Sequence, residues 1–273
     1  MNFASLYKKS IELYKFIPPT FQEYLKNIVE SFKFRFLRKA IANKFPDAEM
    51  NVQFESIKEA YAISKSGQKI KFNGQNWQDL IVHLHLQKTN GFFVDIGAHD
   101  GVTFNNSYFF EQYGWQGVCI EPSPDVYEAL KSNRKCDLYN VAISNETGEN
   151  VDFLVTADKN NIDGDMFGGI PVLMDEKVYS RAIEKSTGTI KVQTLTFDDL
   201  MKNYPSVTHI DFMSIDVEGA EMSILRTIDF DKHSFRALAI ENNEPNAVLT
   251  NFMREKGYRV LMDVGLDVIF VQA

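Results

Sequence analysis

Cysteine and long apolar runs are both scarce in this 273-residue chain, and each absence excludes a class of protein. The two cysteines, Cys119 and Cys136, are too few for a disulfide framework and lack metal-ligand spacing, which favours a reducing compartment. No stretch approaches the roughly 18 to 20 apolar residues of a membrane-spanning helix. The first residues lack the apolar segment of a signal peptide, so we expect a cytoplasmic protein.

Positive charge is scarce beyond the first 45 residues. The formal net charge is −8 at pH 7, but residues 1–45 hold nine basic and three acidic residues, and the remainder holds 20 basic and 34 acidic ones. A body this acidic repels polyphosphate. We therefore expect no nucleic-acid partner.

The basic segment 1–45 has apolar residues at helical spacing, interrupted by Pro18 and Pro19, which predicts two helices. Their basic, aromatic-rich faces suit a peripheral contact with the inner face of a membrane or with a partner protein. The alternative is that they pack on the main domain. Residues 46–75 form a polar connector with a candidate hairpin over 62–72. The predicted domains are thus a helical extension with its connector, 1–75, and a main domain, 76–273, in an oligomeric state that is left open.

From residue 76 onwards, strand-like apolar runs alternate with helical patterns, as in βαβ units and parallel sheets. The last two runs are only five residues apart, which requires an antiparallel hairpin. The fold class is therefore α/β, with a mostly parallel sheet. The predicted strands are 92–96, 117–121, 138–143, 151–155, 210–215, 237–241, 259–262 and 268–272, and the predicted helices include 123–133, 220–226 and 246–256. Between residues 156 and 191 we expect an irregular insertion that serves as a lid or binding segment.

The strongest motif, VDIGAHDG, follows the first of these strands. Asp95 ends the strand, and Gly97 and Gly101 let the backbone turn sharply, which predicts a cofactor crevice. The motif is not the dinucleotide fingerprint G-x-G-x-x-G, because Ala98 and His99 stand where its second glycine would fall. The Asp95 carboxylate would repel a diphosphate but suits a cationic ligand.

Two further motifs follow the next strands. In CIEPSP, Glu121 ends the second strand, where a carboxylate can accept both hydroxyls of a ribose. The alternative is a strand-end carboxylate that caps the following helix. In NVAIS, Ala142 lies near the end of the third strand and could line an adenine.

Acidic residues cluster in the motif SIDVEGAE and the strand before it. Asp216 ends its strand, and Glu241 and Asn242 in AIENN end the next one, so a parallel sheet places the three side chains at one edge. Carboxylate and amide oxygens are the ligands that Mg²⁺ prefers. The alternative is hydrogen bonding to loop backbone. Four acids within 11 residues exceed what helix capping requires: Asp211, Asp216, Glu218 and Glu221.

In this order and spacing, the motifs VDIGAHDG, CIEPSP, NVAIS, SIDVEGAE and AIENN resemble the FkbM family of S-adenosylmethionine-dependent methyltransferases over about residues 91–272. The resemblance implies the class I methyltransferase fold, a Rossmann-like seven-stranded sheet that ends in an antiparallel hairpin. It also implies S-adenosylmethionine (SAM) as cofactor and O-methylation of a sugar hydroxyl on a saccharide, glycan or glycosylated metabolite. The cofactor-binding positions it implies are Asp95, Gly97, Gly101, Thr103, Glu121, Ala142 and Asp216.

Asp216 would then face the transferred methyl group, and His99, where related families carry glycine or asparagine, is the second catalytic candidate. A sugar hydroxyl is a weak acid, so transfer needs either a divalent cation, Mg²⁺ or Mn²⁺ on Asp216, Glu241 and Asn242, or a general base. The histidine candidates for that base are His83, His85, His99 and His209. Two rival functions stay open: a nucleotide-dependent oxidoreductase, which the absent fingerprint disfavours, and a non-catalytic module that binds SAM or a glycan.

Overall fold

A computed structural model of the chain describes residues 39–41, 43–45, 52–54, 60–64, 66–156, 166–174, 176–243 and 247–273. The chain divides into two compact units, Met1–Tyr61 and Ala62–Ala273. Most of the basic segment 1–45, with its predicted helices and surface contact, lies outside the described residues. Across the described ranges, no helix is both long and apolar enough to cross a membrane. The domain boundary expected after residue 75 stays a prediction.

The elements alternate along the chain much as the apolar pattern predicts. In order they are β1 (Val52–Phe54), β2 (Ala60–Ile63), β3 (Lys69–Lys71), α1 (Gln78–Leu86), β4 (Phe92–Ile96), α2 (Tyr108–Gln112), β5 (Gln116–Ile120), α3 (Pro124–Asn133), β6 (Asp137–Tyr139), β7 (Ala142–Ile143), β8 (Asn150–Thr156), α4 (Glu176–Lys185), β9 (Ser186–Leu195), α5 (Phe197–Met201), β10 (Ile210–Ile215), α6 (Glu221–Thr227), β11 (Phe235–Glu241), α7 (Ala247–Glu255), β12 (Tyr258–Val264) and β13 (Asp267–Gln272).

A seven-stranded sheet with the order β12-β13-β11-β10-β4-β5-β6 forms the centre of the unit Ala62–Ala273. Strands β11, β10, β4, β5 and β6 pair in parallel, whereas β13 runs antiparallel to both β11 and β12. The predicted α/β class, with a mostly parallel sheet and an antiparallel pair at the C-terminal end, is confirmed. The fully buried strand β10 coincides with the predicted strand at 210–215.

The structure corrects one strand and the description of the insertion. The predicted strand 138–143 is two strands: β6 belongs to the central sheet, and β7 belongs to a smaller sheet of order β7-β9-β8. The Asn140 amide separates them, because it donates hydrogen bonds to the carbonyls of Glu121 (2.8 Å) and Pro122 (3.0 Å). The insertion, predicted to be irregular, contains α4 and much of β9, which pairs with β8. The predicted strand 151–155 is therefore in the smaller sheet.

Helices cover both faces of the central sheet. On one face, Val94 of β4 and Met213 of β10 belong to a buried core that also includes apolar residues of α5, α6 and α7. On the other face, Phe110 of α2 contacts Phe212 of β10, with ring centroids 5.1 Å apart. Helix α1 contacts β11 and β13. This three-layer packing leaves the carboxyl ends of the parallel strands as the edge where a site can form.

His83 of α1, a candidate base in the sequence, lies in the packing layer and not at that edge. Its ring centroid is 5.8 Å from that of Phe72 and 5.0 Å from those of Phe109 and Tyr113. Burial lowers the pKa of His83 from 6.5 to about 4. The surroundings thus favour the neutral imidazole, as expected for a core histidine.

This depressed pKa predicts a stability loss in mild acid. The unfolded chain binds a proton at His83 near pH 6.5 and the folded chain only near pH 4, so stability is complete above pH 6.5 and falls as the pH drops through that window. Between pH 7 and pH 5 the loss from this residue is about 2 kcal/mol. Urea denaturation at both pH values measures it, and His83→Phe should remove that part of the loss. An equal pH dependence in both proteins would contradict the assignment.

Candidate functional site

A cavity of about 320 Å³ lies at the carboxyl ends of β4, β5, β10 and β11. Residues from the loops after these strands line it, together with Phe153 and Thr156 of β8 and residues 166–170 of the insertion. Its volume is within the range of small-ligand sites. Eight of the predicted site residues line it: Asp95, Gly97, His99, Thr103, Glu121, Ala142, Asp216 and Glu241.

Gly97 brings the loops after β4 and β10 into backbone contact. Its φ is +85°, and a Cβ at this position would lie 1.8 Å from the carbonyl oxygen of Asp216. The Asp216 amide also donates a hydrogen bond to the Ile96 carbonyl (3.0 Å). Only glycine allows this approach, so the residue fixes the distance between the two acidic loops.

Asp95 is held in a buried polar network. Its Oδ2 accepts hydrogen bonds from Ser107 Oγ (2.6 Å) and Asn105 Nδ2 (2.9 Å). The Arg134 guanidinium in turn donates to Ser107 Oγ (3.0 Å) and to the Gly101 carbonyl (3.0 Å). Burial raises the pKa of Asp95, and the charge of Arg134 opposes that rise. Gly101 thus supports the loop from behind and does not line the cavity, whereas Thr103 does line it.

Glu121 follows β5 directly, and its carboxylate is positioned by two backbone amides. Oε2 accepts a hydrogen bond from His99 N (3.1 Å), and Oε1 accepts one from Ser123 N (2.8 Å). The residue is buried, and it lines the cavity. Each carboxylate oxygen has a second lone pair, so the group can accept two further hydrogen bonds from adjacent hydroxyls.

Three carboxylates meet where β10 and β11 end. Oxygens of Asp216, Glu218 and Glu241 all lie within 4.8 Å of one another. Asn242, the third predicted metal ligand, is not among the cavity-lining residues, and its backbone amide donates to the Leu266 carbonyl (2.7 Å). Among the described residues, Glu218 and not Asn242 therefore completes this group. We call Asp216, Glu218 and Glu241 the acidic cluster.

The close approach of its three carboxylates makes the acidic cluster a site of mutual repulsion. Asp216 is exposed at the cavity, yet desolvation by the surrounding protein raises the pKa of its carboxyl, and the charge of Glu218 adds to the rise. Burial and the charge of Asp216 likewise raise the pKa of Glu241. A cation or a shared proton relieves this repulsion, so the arrangement attracts positive charge.

The four acids noted in the sequence have separate roles. Asp211 lies at the amino end of β10, where its carboxylate pairs with Lys88 and with Arg236 (3.0 Å). Glu221 accepts hydrogen bonds from the amides of Val217 (3.1 Å) and Gly219 (3.0 Å), so it caps the turn before α6. Asp216 and Glu218 line the cavity.

Three non-glycine residues that line the cavity have left-handed backbone conformations: His99 (φ 51°), Phe104 (φ 53°) and Glu218 (φ 55°). Such conformations cost free energy and occur often at functional sites. The His99 imidazole lines the cavity, with Nδ1 3.6 Å from Asp100 Oδ1. Among the other histidines, His209 hydrogen-bonds Ser234 outside the cavity. His99 is thus the candidate base that the fold places at the site.

Several residues at or beside the site carry no sequence signal. Asp267 pairs with Glu241 across the antiparallel strands and accepts a hydrogen bond from Gln78 Nε2 (2.7 Å), and burial raises its pKa to about 6. Gln78, Phe167 and Arg181 line the cavity from α1 and the insertion. Strand pairing and the folding of the insertion bring them there, and no motif marks them.

The strand order, the antiparallel C-terminal pair and a cavity at the carboxyl ends of the parallel strands together define the class I methyltransferase fold. A family model described as "Methyltransferase FkbM domain" matches residues 95–260. The chain therefore belongs to the FkbM methyltransferase family, and it is a SAM-dependent methyltransferase. No curated protein matches it in sequence.

Solved methyltransferase structures are similar only distantly. They include precorrin-6y C5,15-methyltransferase from Geobacter metallireducens (10% identity, TM-score 0.35, covering 77% of this chain and 91% of that one). The METTL16 methyltransferase domain is 11% identical, with a TM-score of 0.39 and coverage of 86% and 91%. The 1,6-didemethyltoxoflavin-N1-methyltransferase from Burkholderia thailandensis, with 1,6-didemethyltoxoflavin and S-adenosylhomocysteine bound, is 10% identical, with a TM-score of 0.30 and coverage of 81% and 96%.

The residues present fit SAM, which the family implies. Its sulfonium and ammonium groups are cations, and the cavity is lined by five carboxylates: Asp95, Glu121, Asp216, Glu218 and Glu241. Glu121 can accept from the two ribose hydroxyls. Within the described part of the chain, Asn106 Oδ1 is buried without a hydrogen-bond partner, and it belongs to a cavity-lining residue. A buried acceptor of this kind calls for a polar ligand.

Proposed function

We propose that this chain is a SAM-dependent O-methyltransferase that acts on a sugar hydroxyl of a saccharide, glycan or glycosylated small molecule. The acidic cluster beside the donor cavity is the observation that carries the proposal. Methyl transfer to a hydroxyl oxygen requires removal of its proton, and the cluster offers closely spaced carboxylate oxygens that would accept this proton or hold a cation that acidifies the hydroxyl. When bound, SAM supplies a methyl group that its sulfonium already activates.

The chain's residues divide the remaining tasks. Glu121 and the loop at Asp95 would orient the donor, and the Asp216 carboxylate would accept the proton of an incoming hydroxyl. Thr156 Oγ1 supports a hydroxyl-rich acceptor, because in the described residues it is buried at the cavity without a hydrogen-bond partner. Phe153 and Phe167 add aromatic rings to the same side, and sugar rings present apolar C–H faces to such rings.

A divalent cation, Mg²⁺ or Mn²⁺, is the second part of the proposal. Asp216 and Glu241 would hold it, with Asn242 or Glu218 as the third ligand, and it would lower the pKa of the acceptor hydroxyl. The all-oxygen donor set supports these hard cations. The mutual repulsion that raises the pKa values of Asp216 and Glu241 also favours binding of a cation.

Acceptor-dependent formation of S-adenosylhomocysteine tests the proposal. The purified chain, SAM and a panel of saccharides should yield S-adenosylhomocysteine together with a sugar methyl ether, which mass spectrometry identifies. Turnover should fall in a chelator and return with Mg²⁺ or Mn²⁺. Full activity in the chelator would contradict the role of the cation and would leave Asp216 as the general base. Donor binding without turnover on any saccharide would contradict the proposal and favour the non-catalytic binding module.

A further inference from the structure

The two sides of the cavity differ in charge. The carboxylates lie on the central sheet, whereas the insertion contributes Arg181, the single lysine or arginine among the described residues that line the cavity. A cationic donor is attracted to the acidic side. The charge of Arg181 therefore suits a different, anionic group that enters the same cavity.

Arg181 and Lys185 form one basic face on α4. The two residues are four apart on the helix, and both lie against the Phe167 ring, with the guanidinium carbon 5.7 Å and the ammonium nitrogen 3.8 Å from the ring centroid. None of the ion pairs found among the described residues includes either side chain. Like charges at this spacing destabilise a helix, and a bound anion would offset that cost.

The fold holds this face at the cavity. In the insertion, Gly169 and Leu154 of β8 exchange backbone hydrogen bonds of 2.8 and 3.2 Å, which place the segment with Phe167 beside the smaller sheet. Arg181 follows on α4, which contacts β8. The basic face is thus tied to the same sheet that contributes Phe153 and Thr156 to the cavity.

We propose that Arg181, supported by Phe167 and Lys185, binds an oxyanion carried by the acceptor, so that the substrate is an acidic sugar with a carboxylate or a phosphate group. A guanidinium matches either group with two parallel hydrogen bonds. The carboxylates across the cavity repel the anion, so the acceptor enters with its charge at Arg181 and a hydroxyl toward Asp216. This inference rests on the proposed function and specifies its substrate class.

Binding of three matched probes to the full chain saturated with S-adenosylhomocysteine tests the inference. The probes are methyl α-D-glucuronide, α-D-glucose 1-phosphate and the neutral methyl α-D-glucoside, and calorimetry or ligand-observed NMR measures their affinity. At least one acidic probe should bind roughly ten-fold more tightly than the glucoside, and Arg181→Gln should remove that preference. The better acidic probe distinguishes a uronate from a sugar phosphate. Arg254→Gln, on α7, is the matched control and should keep the preference.

Each other outcome is decisive. No preference for an acidic probe in the wild type, no binding of either acidic probe, or a preference retained in Arg181→Gln would overturn the inference. A loss of S-adenosylhomocysteine affinity in Arg181→Gln would also overturn it, because the guanidinium would then bind the donor's carboxylate. A wild type that does not bind S-adenosylhomocysteine at all would instead contradict the proposed function. Melting temperatures show whether each variant is folded.

Discussion

The Gly97→Ala variant is expected to lose donor binding and roughly 2–5 kcal/mol of stability, the combined cost of a left-handed alanine and an overpacked contact. The added methyl would lie 1.8 Å from the Asp216 carbonyl oxygen and 2.9 Å from its carbon. Both atoms are backbone, so the contact is relieved only if the loops after β4 and β10 separate. That separation would move Asp216 relative to the cofactor loop.

Gly148→Ala is the matched control for this effect. Gly148 has the same φ of +85°, but a Cβ there would meet nothing within 4 Å. The Gly148→Ala variant should therefore lose only about 1–2 kcal/mol of stability, the cost of a left-handed alanine, and should keep its donor affinity. Urea denaturation and calorimetry with S-adenosylhomocysteine measure the two effects. Equal losses in both variants would show that the close approach of the loops is unimportant.

The Asp216→Asn variant is expected to slow methyl transfer by about 10²- to 10⁴-fold, the usual contribution of a positioned proton acceptor. Asparagine keeps the shape of the side chain but removes the carboxylate, so affinity for S-adenosylhomocysteine should change little. Single-turnover kinetics at saturating SAM isolates the transfer step. This predicts a change in rate with little change in donor affinity.

Asp211→Asn provides the same chemical change at the opposite end of β10. Unlike Asp216, Asp211 is buried, and its carboxylate binds Lys88 and Arg236 away from the cavity. Folded Asp211→Asn protein should transfer the methyl group at nearly the wild-type rate. A comparable slowing in both variants would mean that Asp216 acts through stability and not through the reaction.

The apolar pattern was enough to predict the central sheet but not the smaller one. Strand β10 is buried on both faces, so its apolar run has clear limits in the sequence. The run at 138–143 gave the wrong result because the Asn140 side chain binds two carbonyls and turns the chain between β6 and β7. Helix α4 is polar and exposed over much of its length, so little apolar pattern marks it within the insertion.

The site residues that lie in strand-end motifs could be predicted from the sequence. Asp95, Gly97 and Glu121 lie in or directly after parallel strands, and the order of those strands brings them to one cavity. Asp267 could not be predicted, because antiparallel pairing with Glu241 depends on the register of the C-terminal hairpin. Arg181 could not be predicted either, because it lines the cavity only once the insertion has folded into α4 and packed beside β8.

Calorimetric titration of S-adenosylhomocysteine into the wild type and Glu121→Ala tests the central claim, that the acidic cavity at the carboxyl ends of β4 and β5 binds the donor. Loss of the hydrogen bonds that two ribose hydroxyls donate to this carboxylate should weaken binding by roughly ten-fold or more. Glu128→Ala, an exposed change on α3, should bind like the wild type. Equal affinity in Glu121→Ala, or no binding to the wild type, would contradict the account.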